Sequence, residues 1–207
     1  MQVNSPSSSA ALHGPLFVIA LIFLVHTILS LLGLTESVTP MIVGAFIVSN
    51  LVIFGLSVRM VPGFADWLRR QTTENLMLLH AIRAPIGAAF LVFGAHDMLP
   101  QRFADTAGWG DILAGVLVIP VVLLGLRLSA KGRGWLYLLW SVIGIVDLFL
   151  AVGTGIFLAT TQVGSMDWIT RLPFFLVPGF LVPWLLAFHF VVVRRLVSRA
   201  AESKPLG

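Results

Sequence analysis

Arg83 and Asp147 are the two residues of this chain whose placement most demands a chemical explanation. Each lies well inside a long apolar run, in LMLLHAIRAPIGAAFLVFGA and in the stretch 135–160 respectively. A guanidinium stays charged at any ordinary pH, and burying it at a bilayer centre costs roughly 2.5–3.5 kcal/mol on insertion scales. It therefore calls for a partner on another helix. Counting about 1.5 Å per residue from one end of each run, Arg83 and Asp147 fall at depths of roughly 12 and 18 Å, a gap that an arginine side chain spans. Contact between them is expected, either as a structural ion pair or as part of a polar path for a proton, an ion or a small solute. His26 and Asn50 fall near the same level on two earlier runs and complete the expected intramembrane site.

Other ionisable residues group toward the two ends. His80 and His189 lie nearer the end that carries the basic loops and are expected to be hydrogen-bonded packing residues. His96, Asp97 and Asp111 lie toward the opposite end, where Asp97, Asp105 and Asp111 could form an acidic mouth with Arg102 and Arg171 as partners. For Asp111 the competing expectation is capping, since a carboxylate in the first turn of a helix is favoured by the helix dipole. Imidazoles on separate helices can clasp a metal or haem, but there is no His-x-x-x-His or Glu-x-x-His spacing here, and no metal or cofactor is expected. Without cysteine, thiolate chemistry and disulfides are excluded. Walker, dinucleotide-loop and nucleophile-elbow patterns are also missing from the sequence.

The elements that must position these residues are membrane spans. Of 207 residues, 58% are hydrophobic and only 11% charged, and the mean hydropathy of +0.99 is far above that of a domain facing water. Apolar runs at 15–34, 41–60, 76–95, 109–128, 135–160 and 173–197 are each long enough to cross a bilayer. The fold class is therefore all-α: a polytopic six-transmembrane-helix bundle, residues 15–197, between a polar tail at 1–14 and a basic tail at 198–207. The first run has no basic flank before it and no small-x-small exit, so it reads as a retained helix rather than a signal peptide. Stepping at helical spacing, His80, Arg83, Gly87, Leu91 and Gly94 share one stripe, and Trp140, Gly144, Asp147, Ala151 and Thr154 another.

Ten of the thirteen Lys and Arg residues fall on the side that holds both termini and the loops 59–74 and 127–134; only Arg102 and Arg171 fall on the other. The positive-inside rule then puts both termini in the cytoplasm, with the chain in the plasma (inner) membrane. Basic residues confined to short loops between apolar runs are explained by the bilayer, so no nucleic-acid partner is expected. The lipid bilayer is the sure partner, and an oligomer is compatible with the composition.

Three further patterns carry a resemblance. LP-x-x-FA-x-x-AG-x-GD at 99–111, W-x-x-x-G-x-x-DL at 140–148, and a final span with Leu172-Pro173, Pro183 and His189 are similar to an uncharacterised family of small multi-pass bacterial inner-membrane proteins. The likeness covers roughly residues 80–195, and Ser141 stands where the pattern has Asn. The resemblance implies a fold and a location and draws attention to Arg83, Asp111, Asp147 and His189, without giving them roles. Three functions follow as alternatives: a small transporter or channel-like protein with a polar intramembrane site, a membrane enzyme acting on a lipid or quinone through Asp111, His96 and Asp97, or an accessory subunit without chemistry of its own.

Overall fold

A computed structural model describes residues 10–36, 40–161 and 166–202. Much of the tail at 1–14 and the end of the tail at 198–207, Lys204 included, lie outside the described residues. Helix α1 spans Ala10–Leu31 and α2 Pro40–Met60. Short helices α3, Phe64–Arg70, and α4, Thr73–Leu78, lead through a 3-10 turn, Leu79–Ile82, into α5, Arg83–Ala95. Then come α6, Gln101–Arg127, and α7, Ala130–Thr161. A 3-10 turn at Asp167–Thr170 and a π-helical turn at Val177–Leu181 precede α8, Val182–Glu202. Among the described residues six helical stretches are long and apolar enough to cross a membrane, as the hydropathy pattern requires. The protein is an integral, multi-pass membrane protein.

Helix boundaries differ from the apolar runs in a way that matters. Pro100 sits at the N-cap of α6, so the helix begins at Gln101 and takes in the stretch 101–108 that reads as a loop. Proline fixes φ near the helical value and needs no N–H partner there. Asp111 is therefore ten residues into α6, not in its first turn, and the capping account of it fails. The expected loop 127–134 likewise shrinks, because α7 already starts at Ala130.

The third span changes its winding just before its charge. Pro85 lies in the first turn of α5 and has no N–H to give to the Ala81 carbonyl, and the chain winds as a 3-10 turn over Leu79–Ile82. Side chains at i and i+3 eclipse in that winding, so His80 and Arg83 point the same way into the bundle, and both are buried.

Helix α8 is the centre of the bundle. The last span is 56% buried, against 33% for the next most buried. Among the described residues three apolar clusters fill the interior: one toward the basic loops, with Phe64, Met77, Val122, Tyr137 and Trp184, one toward the other end, with Phe90, Phe103, Leu158 and Phe174, and a third of Ile47, Leu148, Val182, Leu185 and Leu186. Arg83, Asp111 and Asp147 lie along their helices between the residues of the first two.

A polar layer built on glycine contacts

Helices α5 and α6 meet backbone to backbone. A methyl group added at Gly87 would collide with the Gly108 carbonyl and lie 2.9 Å from the Asp111 Cβ, and one at Gly115 would strike the backbone of Ala84. Gly108 and Gly115 flank Asp111 at three and four residues, on one face of α6. The same close approach that these glycines allow delivers the Asp111 carboxylate to the base of Arg83.

Two more glycines clear space for polar side chains of the neighbouring helices. An added methyl at Gly110 of α6 would overlap the Asp147 carboxylate of α7, lying 2.7 Å from its Cγ. At Gly144 of α7 it would lie 2.6 Å from the His189 ring of α8.

Candidate functional site

Arg83 joins three helices. Its Nε donates to Asp111 Oδ1 at 2.7 Å, and its Nη2 donates to Asp147 Oδ2. Contact with Asp147 is what the depth argument requires. Contact with Asp111 is what it misses, because Asp111 reads as a residue of the opposite end. The arginine and Asp111 side chains are 1% and 9% exposed, whereas Asp147 is 21% exposed and forms the open edge of the cluster.

Toward the basic end the layer continues through two imidazoles. The His80 and His189 rings are 3.9 Å apart between centroids, and Trp140 packs against both at 5.2 and 5.0 Å. The hydrogen bonds expected of these histidines are not there: none of their ring nitrogens has a protein partner. Arg83 Nη1 and the Ser141 hydroxyl are also buried without one. Buried polar atoms nearly always find partners, so this group of six is set to receive water or the polar atoms of a guest. Among the described residues no three His, Asp or Glu side chains gather where they could hold a metal ion.

Toward the other end the layer opens into a cavity of about 530 Å³. Its walls are largely apolar, with Phe90, Phe103, Leu148 and Val182 among them, and its ionisable lining residues are Asp111, Glu36 and Asp167. None of its lining residues among those described is basic. The rim is tied across by the Thr35 hydroxyl, which donates to the Thr170 carbonyl at 2.6 Å, and by the exposed pair Arg171 and Glu36 at 3.6 Å.

The remaining candidates are elsewhere. His26 and Asn50 form a cluster of their own, with Asn50 Nδ2 3.4 Å from His26 Nε2, and no hydrogen bond joins them to Arg83. His26 Nδ1 lies 2.8 Å from the Ile22 carbonyl, to which it donates. Asn50 also donates to the Gly179 carbonyl at 3.1 Å, which Pro183, four residues on, has no N–H to serve. Asp97 has φ 57 and terminates α5, a left-handed position that Asp tolerates better than most residues. Its neighbour His96 is exposed on the same turn. Asp105 accepts from Gln101 at 2.8 Å, and Arg102 lies over the Phe157 ring. Asp97, Asp105 and Asp111 thus do not form one mouth.

A family model described as a domain of unknown function, DUF8737, matches residues 40–197, or 158 of the 207 residues. The chain belongs to that family. The DUF8737 region starts at the first residue of α2 and holds His80, Arg83, Asp111, Ser141, Asp147 and His189, while α1 with His26 lies before it. No curated protein and no solved structure matches the chain.

Proposed function

We propose that this DUF8737 protein is a small carrier that exchanges a lipophilic organic cation for a proton. The observation that carries this reading is the double duty of Asp111, which holds Arg83 and also lines the apolar cavity. One guanidinium faces two carboxylates, so the layer has one negative charge in excess. Unbalanced charge at membrane depth is expensive, and one more positive charge closes the balance. A proton or a guest cation can supply it, and either makes the other superfluous. That is the condition for exchange.

The cavity adds the chemistry of the guest. Apolar walls suit a hydrophobic body, the acids Asp111, Glu36 and Asp167 among the described lining residues suit a positive head, and the volume is in the range of small-molecule sites. A cation reaching Asp111 competes with Arg83 Nε for the carboxylate. Since Asp111 is on α6 and Asp147 on α7, loosening one arm changes how Arg83 links the helices, which gives the two-state element a carrier needs. His80, His189 and Ser141, with unpartnered polar atoms, continue the layer toward the basic end as a route for the proton.

A lipid or quinone enzyme has less support, because His96 and Asp97 are on an exposed turn outside the cavity lining. A purely packing role leaves the six unpartnered atoms without a reason. Ethidium binding to the detergent-purified chain tests the reading. Fluorescence titration should show saturable binding that Asp111→Asn abolishes and that acid pH weakens; binding indifferent to Asp111 would refute it.

A further inference from the structure

The basic end of the bundle carries a second pocket, of about 480 Å³, separate from the polar layer. Five arginines line it from three elements: Arg69 and Arg70 of α3, Arg133 of α7, and Arg195 and Arg199 of α8. Among the described lining residues Glu74 alone is acidic, which leaves them a surplus of four positive charges.

Loop basicity that only orients a protein in the bilayer needs no pocket, and it is met equally by lysine. Here every cation is arginine, and the groups are differently engaged. Arg195 is fixed in place, its two Nη atoms donating to the carbonyls of Gln71 and Leu68 at 2.7 and 2.5 Å, so it stiffens the wall that joins α8 to the turn before α4. Arg69 pairs with Asp66 of its own helix. Arg70, Arg133 and Arg199 form no ion pair with a described carboxylate. Thr73 lines the same pocket, is 4% exposed, and has a hydroxyl with no hydrogen-bond partner.

We propose that this pocket binds the phosphate group of an anionic ligand, with Arg70, Arg133 and Arg199 as its charged donors and the Thr73 hydroxyl as its neutral one. Guanidinium forks match phosphate oxygens in pairs, and a tetrahedral phosphate accepts from several directions at once, as donors from four separate elements require. The pocket lies where α4 and α7 begin and near the end of α8, at one end of the apolar spans. A phospholipid headgroup and a free phosphate compound present the same chemistry there.

The test uses the full chain, delipidated in a nonionic detergent, and follows its melting temperature and its bound mass by native mass spectrometry. Three probes are added separately: dioleoylphosphatidylglycerol, dioleoylphosphatidylcholine and inorganic phosphate. The expected result is one tightly bound phosphatidylglycerol with a raised melting temperature, little response to phosphatidylcholine, and affinity weakened by at least about tenfold in Arg133→Gln/Arg199→Gln. Thr73→Val, which keeps shape and removes the hydroxyl, should weaken it further. Saturation by inorganic phosphate, with no added effect of the lipid, assigns the site to a free phosphate compound. Arg59→Gln/Arg127→Gln removes the same charge from exposed positions outside the pocket. If that control weakens binding as much, or if neither phosphatidylglycerol nor phosphate is bound, the proposal is overturned. Should the double variant fail to fold, the single Arg199→Gln, at an exposed position, decides the same question.

Discussion

Asp111 and Asp147 hold different nitrogens of one guanidinium, Asp111 at Nε and Asp147 at Nη2. Because the two carboxylates do not compete for one atom, each can be removed while the other stays. Removing a partner outright strands charge, and breaking a buried pair typically costs about 3–5 kcal/mol. Arg83→Leu should therefore be the worst single change, since it leaves two carboxylates facing each other's helices. Arg83→Leu/Asp147→Leu should recover only part of the loss, because Asp111 stays charged and more buried than Asp147 was. Recovery should need Asp111→Leu as well. Melting temperatures of these variants in detergent check the order; full rescue by the double change would mean that Asp111 is not coupled to Arg83.

Glycines at the layer make a second prediction. Gly110→Ala puts a methyl into the Asp147 carboxylate, and overpacking of this kind costs roughly 1–3 kcal/mol. The cost should fall sharply in an Asp147→Ala background, where the methyl has room. Additive losses would show that the two residues are not in contact. Gly144→Ala should behave in the same way with His189→Ala.

How much of this is legible in the sequence can be judged from three residues. Arg83 and Asp147 are visible because each interrupts an apolar run, and rise per residue is enough to put them at neighbouring depths. Asp111 is hidden. Hydropathy marks where a helix crosses lipid, not where it starts, so the polar turn at 101–108 reads as a loop and moves Asp111 to the helix end. Pro100 is the signal that could have moved the start back to Gln101. His80 and His189 are visible as residues but not as a pair, since their contact depends on the Gly144 gap between α7 and α8 and on the 3-10 turn at Leu79–Ile82.

Asn50 offers a test of the break at the start of α8. Asn50→Ala leaves the Gly179 carbonyl without the amide, and an unsatisfied buried acceptor costs about 1–3 kcal/mol. Pro183→Ala restores an N–H at position 183, so Asn50→Ala should be less harmful in that background. A double-mutant cycle on melting temperature measures it; equal losses in both backgrounds would separate Asn50 from the proline break.

The basic loops make a prediction about orientation. A phosphatase active only outside the cytoplasm should work when fused after Met98 and fail when fused after Lys131. Activity at Lys131 would invert the bundle and turn the apolar cavity toward the cytoplasm.

Charge balance makes the central claim measurable. Asp111→Asn leaves one guanidinium and one carboxylate, and its side-chain oxygen still accepts from Arg83 Nε, so it should fold as well as the wild type while having no need of a proton. The decisive measurement is exchange in proteoliposomes, with ethidium entry and proton exit followed together after the lumen is made acidic. Wild-type protein should move both with one time course, and Asp111→Asn should move neither. Ethidium entry without proton exit, or a wild-type rate in Asp111→Asn, would contradict the account.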